Sequence, residues 1–358
     1  MWGSLKASAA CLAPALTFVS LLFVWAAPPS RGAAHFRTGW GARADASFLD
    51  PADFLDSFGK SRPRVAAAFG ESKPHVAATQ GARLPSPVSL RESGGRGLLV
   101  ETWVNGEGPF TFALDTGAGA TILSPRVAGE ARVEVEAGGR GIEVGGLSGM
   151  TAGGVEKAFP RSIALGSREN IIPARGLAMV APGLPADIDG ILDPTEAFSP
   201  LGYIIDIPHG ELRGFDPRVR PLHAGDAPPA GAVVAWLTDG RSRRPFVMLE
   251  GGRRALLDTG SGFGLAVDEA AARALGILSS SGRERVGTRD IAGGEISSRR
   301  VRAATISVGP LVLRGVPTDF LTHAEKGAPV LLGRDALRPF RLTFDPLSRL
   351  VMFEPVEN

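Results

Sequence analysis

Gly106-Glu107-Gly108-Pro109-Phe110-Thr111-Phe112-Ala113-Leu114-Asp115-Thr116-Gly117-Ala118-Gly119 is an apolar, strand-like run that starts at a Pro-Phe pair and ends on Asp-Thr-Gly. The pattern returns further along the chain. Arg244-Pro245-Phe246-Val247-Met248-Leu249 leads to Ala255-Leu256-Leu257-Asp258-Thr259-Gly260-Ser261-Gly262. The two aspartates are 143 positions apart. Later landmarks keep nearly that offset: Ile191-Leu192-Asp193 matches Leu331-Leu332-Gly333 at 140, and Ile204-Ile205-Asp206 matches Thr343-Phe344-Asp345 at 139. A repeat of that length indicates a duplicated domain, since solenoid units run to about 20–50 residues. About 0.1 Asp-Thr-Gly tripeptides are expected by chance in such a chain, so two at matching places are a specific signal.

Boundaries follow from the repeat. The 358 residues divide into a targeting segment at 1–34, a low-complexity stretch at 35–93, a first lobe at 94–219, a linker at 220–230 and a second lobe at 231–358. With Gly 47 and Pro 28, the lobes read as short strands joined by turns, an all-β class. One helix is expected, over Asp268–Leu275. Trp103 and Trp236 fall in apolar runs near the start of each lobe and read as core.

Residues 1–11 carry a single positive charge, Lys6, and 12–27 are an uncharged apolar run. That is the pattern of a signal peptide cleaved after Ala27 or Ala34, with an uncleaved membrane anchor as the rival. The expected location is therefore the exported side: secreted, periplasmic or cell envelope. The 35–93 stretch, with a loose helical face at Asp50–Phe58, reads as a linker or as a pro-segment.

Composition excludes several functions. Of 39 basic residues 34 are Arg, yet the net charge is only +2, no footprint for a nucleic-acid partner. The single Cys, Cys11, lies in the targeting segment, so disulfides and thiolate metal sites are not expected. The five His show no ligand spacing and no nearby Ser or Cys elbow, so neither a metal nor a Ser–His–Asp triad is expected. No cofactor is called for. Arg241, Arg243, Arg244, Arg253 and Arg254 read as a solvated face, and Asp189 and Asp193 as turn residues.

The two Asp-Thr-Gly sites carry the chemistry. Gly117 and Gly260 permit a tight turn with another backbone close by. Thr116 and Thr259 have hydroxyls able to reach a facing loop. If the loops meet, Asp115 and Asp258 cannot both ionise freely, and the pair holds one proton. One carboxylate can then take a proton from water while the other acid donates to a carbonyl oxygen.

On Leu114-Asp115-Thr116-Gly117-Ala118, Leu257-Asp258-Thr259-Gly260-Ser261, Asp189-Gly190-Ile191-Leu192 and Val330-Leu331-Leu332-Gly333-Arg334-Asp335, the chain resembles a two-lobed aspartic peptidase of the pepsin and retropepsin group, of the secreted bacterial type. The resemblance spans about residues 94–356. It implies a bilobal pepsin-like fold of two retropepsin-like β-barrel lobes, an endopeptidase activity, Asp115 and Asp258 as the catalytic pair, and a peptide or protein substrate. Both halves of the site lie on one chain, so a monomer suffices. The sequence departs from the pattern at Asp193, where Gly is usual, and in lacking a flap tyrosine, Tyr203 being its one Tyr. The flap candidate is Gly138–Gly154, with Leu147, Ser148 and Met150 near its tip; its second-lobe counterpart is Asp290–Glu295. Because Ser261 can donate a hydrogen bond to Asp258 and Ala118 cannot do so for Asp115, the charge is expected on Asp258 and the proton on Asp115. Two alternatives remain: an inactive peptide-binding module of the same fold, and a structural envelope protein.

Overall fold

The computed structural model describes Phe23–Ala26 and residues 84–357, apart from 137–141, 149, 175–176, 240–241, 278–281, 286–288, 291 and 323–327. The Asp50–Phe58 helix, both cleavage positions and nearly all of the 35–93 stretch lie outside the described residues. The fold is mostly β, and no described α-helix exceeds six residues. No helix among the described residues is long and apolar enough to cross a membrane.

Six strands and two short helices position the site. They are β1 (Glu107–Leu114), β2 (Thr121–Leu123), β3 (Gly190–Leu192), α1 (Pro194–Ala197), β4 (Arg254–Asp258), β5 (Leu265–Val267), β6 (Val330–Gly333) and α2 (Arg334–Leu337). In the first half β3 lies between β1, to which it is parallel, and β2, to which it is antiparallel. In the second half β6 lies in the same way between β4 and β5. Every residue of β3 and β6 is buried, so both faces of these strands are covered, which is why Ile191, Leu192, Leu331 and Leu332 form unbroken apolar pairs instead of alternating with polar residues.

A third, six-stranded sheet joins the halves. Its order is Ala232–Ala235, Leu350–Pro355, Phe340–Asp345, Gly202–Asp206, Glu211–Phe215 and Val88–Ser89. At its centre the ring of Tyr203 stacks on Phe344 at 4.6 Å, and Trp236 meets Phe344 edge-on at 6.0 Å. Trp103, in contrast, is only half-buried. The expected helix occupies Glu269–Ala274, with Asp268 capping Ala271 N–H at 2.7 Å.

Paired strands are found before the boundary expected at Gly94. Val88–Ser89 pairs with Glu211–Phe215, and Arg91–Ser93 pairs with Gly97–Val104. Strands of two and three residues carry too little periodicity to stand out from the low-complexity stretch before them.

Candidate active site

Asp115 follows the last residue of β1, and its N–H donates to Leu192 O at 3.0 Å, so the neighbouring strand β3 fixes where the acid leaves the sheet. Asp258 is the last residue of β4, with Gly333 of β6 as its register partner. The loops that follow interlock. Thr116 N–H donates to Thr259 Oγ1 at 3.2 Å, and Thr259 N–H returns a bond to Thr116 Oγ1 at 3.1 Å. Each hydroxyl then donates onward across the boundary, Thr116 to Leu257 O at 2.6 Å and Thr259 to Leu114 O at 3.1 Å. Each hydroxyl thereby donates one bond and accepts one inside a buried site, where an unmet polar group would cost about 1–3 kcal/mol.

The glycines are required by space. A Cβ on Gly260 would lie 2.4 Å from Asp115 Cγ, and one on Gly117 would lie 2.9 Å from Asp258 Cγ. Both carboxyls are fully buried and close enough for each to shift the other's titration. Asp115 Oδ1 accepts from Gly117 N–H at 2.7 Å, and Asp258 Oδ1 accepts from Ser261 N–H at 2.9 Å. Neither Oδ2 receives a bond from a protein N–H or O–H group among the described residues.

The two acids are not equivalent. Burial and the nearby Asp258 charge hold Asp115 well above the usual carboxylate value. Burial also raises Asp258, but only to about 6, because Asp115, Ser261 N–H and the Arg334 charge favour its ionised form. Of the two, Asp115 is the more strongly held in its protonated form. The expected source of the asymmetry differs: Ser261 reaches Asp258 through its backbone N–H, while its hydroxyl accepts from Phe263 N–H at 3.2 Å. The cationic side chain that lowers Asp258, and has no counterpart beside Asp115, is Arg334.

Arg334 opens α2, where the first half has Pro194. It is buried, donates to Thr259 O at 3.1 Å and pairs with Glu92 at 3.2 Å. Asp193 is buried at the start of α1 and caps Thr195 N–H at 2.9 Å; burial, Glu196 and Asp115 hold its carboxyl well above the usual range. A cation thus faces Asp258 and a further acid lies near Asp115. The sequence reading missed Arg334; its only signal was the exchange of Pro for Arg at matching positions of the repeat.

Leu147 is fully buried among Phe246, Leu256, Phe263, Ile296, Leu321 and Leu331 of the second half. Beside it, Ser148 N–H donates to the buried Asp290 carboxylate at 2.8 Å, and Asp290 also accepts from Gly294 N–H at 2.9 Å. The first-half hairpin tip is therefore joined to the second. Met150, on the far side of the tip, is half exposed to solvent. Arg244, expected on a solvated face, is buried against Asp239 at 2.6 Å and beside Gly119. Asp189 ties a turn, accepting from Thr111 N–H at 2.8 Å. No group of three or more His, Cys, Asp or Glu able to hold a metal occurs among the described residues.

Residues 250–336 match the aspartyl protease family model. The matched segment contains Asp258, its Thr-Gly loop, the second hairpin and β6. No curated protein matches the chain. The family match supports an aspartic-type peptidase, an enzyme that hydrolyses proteins.

Proposed function

We propose that the chain is an exported, bilobal, pepsin-like aspartic endopeptidase whose catalytic pair is Asp115 and Asp258. The observation that carries this reading is the reciprocal bonding of the two Asp-Thr-Gly loops around two fully buried carboxyls that shift each other's titration. Internal duplication is supported by the joining sheet. Ile204 and Thr343, equivalent in the repeat, are direct register partners, with Tyr203 opposite Phe344 and Ile205 opposite Leu342. Equivalent residues meet in this antiparallel way across a local twofold axis.

The mechanism follows from the unequal acids. The Asp258 carboxylate takes a proton from a water as that water attacks the peptide carbonyl carbon, and Asp115 gives its proton to the carbonyl oxygen. Collapse of the tetrahedral species then returns a proton from the dyad to the leaving nitrogen. An extended peptide would lie in the cleft beneath the hairpins, its backbone paired with strand edges.

Incubation with a mixed peptide library tests the reading. Cleavage should occur and be lost in both Asp115→Asn and Asp258→Asn. Tight binding of a hydroxyl-containing transition-state mimic with no cleavage would instead favour the inactive binding module. Export is proposed from the apolar run at 12–27. Sequencing the mature N-terminus tests it, a terminus after Ala27 or Ala34 being the expected result.

A further inference from the structure

We propose that the second half carries an acid-selecting subsite, in which Arg285, backed by Arg300 and Ser298, receives an Asp or Glu side chain of the extended substrate. The inference rests on the peptidase reading above and specifies its substrate class. Phe263 lies five residues beyond Asp258 and is tied to the catalytic loop through Ser261. The Arg285 guanidinium covers its ring at 5.2 Å. In the sheet Arg285 is the register partner of Ser298, and Ser298 that of Leu321. Directly opposed residues share a face, so Arg285 lies on the same wall as the apolar cluster that seats Leu147.

That wall is cationic. Asp319, fully buried, is the one carboxylate among the described residues that pairs there, with Arg285 at 3.1 Å and Arg300 at 3.0 Å. Arg283 stands directly opposite Arg300 and has no carboxylate partner among the described residues. Glu284 does not offset this, because its register partner is Arg299 on the other face. Ser298 is 3% exposed, and its hydroxyl has no hydrogen-bond partner among the described residues. A guanidinium fork beside an unused hydroxyl donor suits a carboxylate, which accepts from both. Arg285 reaches Asp319 through Nη1, and its side chain remains 23% exposed, leaving donors for a ligand.

Spacing along the substrate follows from strand geometry. Alternate side chains of an extended peptide face one wall. The site held by Leu147 marks a subsite for an aliphatic side chain once the hairpin lifts, and the acidic residue lies two positions from it.

The test is direct binding of two fluorescent peptides, identical except for aliphatic-x-Glu against aliphatic-x-Gln, to the full chain carrying Asp115→Asn. The Glu peptide should bind about tenfold more tightly, and less so at high salt. The difference should vanish in Arg285→Gln, survive in part in Arg285→Lys, and be unchanged in Arg314→Gln, an exposed arginine elsewhere in the same sheet. Equal affinity for the two peptides, or a difference that persists in Arg285→Gln, overturns the subsite. Cleavage by the unmodified chain is followed in parallel. Glu preference in binding without cleavage would count against the peptidase and for the subsite, and cleavage without the preference would do the reverse.

Discussion

At the residue scale the site depends on which acid is ionised. On the proposed mechanism Asp258, raised to about 6, sets the acid limb of the pH–rate profile, and the more strongly raised Asp115 sets the alkaline limb. Activity should therefore rise through about pH 6 and extend into the neutral range. Arg334→Gln removes the cation that favours ionised Asp258, so its acid limb should move upward; an unmoved limb would show that Arg334 only packs the loop. The same shifts fix the sign of the stability dependence. A buried acid with a raised value stabilises fully below its unfolded value, and that contribution is lost as pH rises through the folded one. Asp258→Asn should accordingly be more stable than the parent above about pH 6, by roughly 1–3 kcal/mol in denaturant melts, with the gap closing towards pH 4. A gap independent of pH would refute this reading.

At the element scale the two loops and the two hairpins behave differently. The loops are held by reciprocal buried bonds and have no room for a Cβ. Gly260→Ala should cost at least about a hundredfold in peptide hydrolysis, because a displacement of about 1 Å at the Asp115 carboxyl already costs that much. Steady-state kinetics on a correctly folded variant measures it. The hairpins are held at their tips by Leu147 and by the Asp290 carboxylate, contacts few enough to open locally. Asp290→Ala should speed amide exchange at Ser148 and Gly294 while leaving Leu332, inside β6, unchanged. Equal acceleration at all three would indicate global loosening instead.

At the scale of the whole molecule the joining sheet holds the halves in register. Phe344 is fully buried between Tyr203 and Trp236, so Phe344→Ala should destabilise by about 3–5 kcal/mol, read by denaturant melts. Loss of activity should accompany that loss even though Phe344 does not touch the carboxyls. Phe344 belongs to the sheet that both halves build, and the dyad needs the halves aligned. Full stability in the variant would show that the rings do not hold this sheet together.

The β class, the helix at Glu269–Ala274 and the two Asp-Thr-Gly turns were legible in the sequence because each is a local property: apolar run length, a capping Asp, a glycine that a close approach demands. The last residues before Gly94 were not, since strands this short leave no period to read. Arg334 and Glu92, 242 positions apart, pair only because the fold brings α2 against the strand at Arg91–Ser93. Only the tertiary structure decided that Arg334 faces Asp258 while Asp193 lies near Asp115, and that Leu147 and Asp290 close one hairpin on the other. Local pattern specifies which groups can ionise and where the chain turns. The strength and direction of each charge interaction depend on distances across the fold and on how much water is excluded, and those are properties of packing.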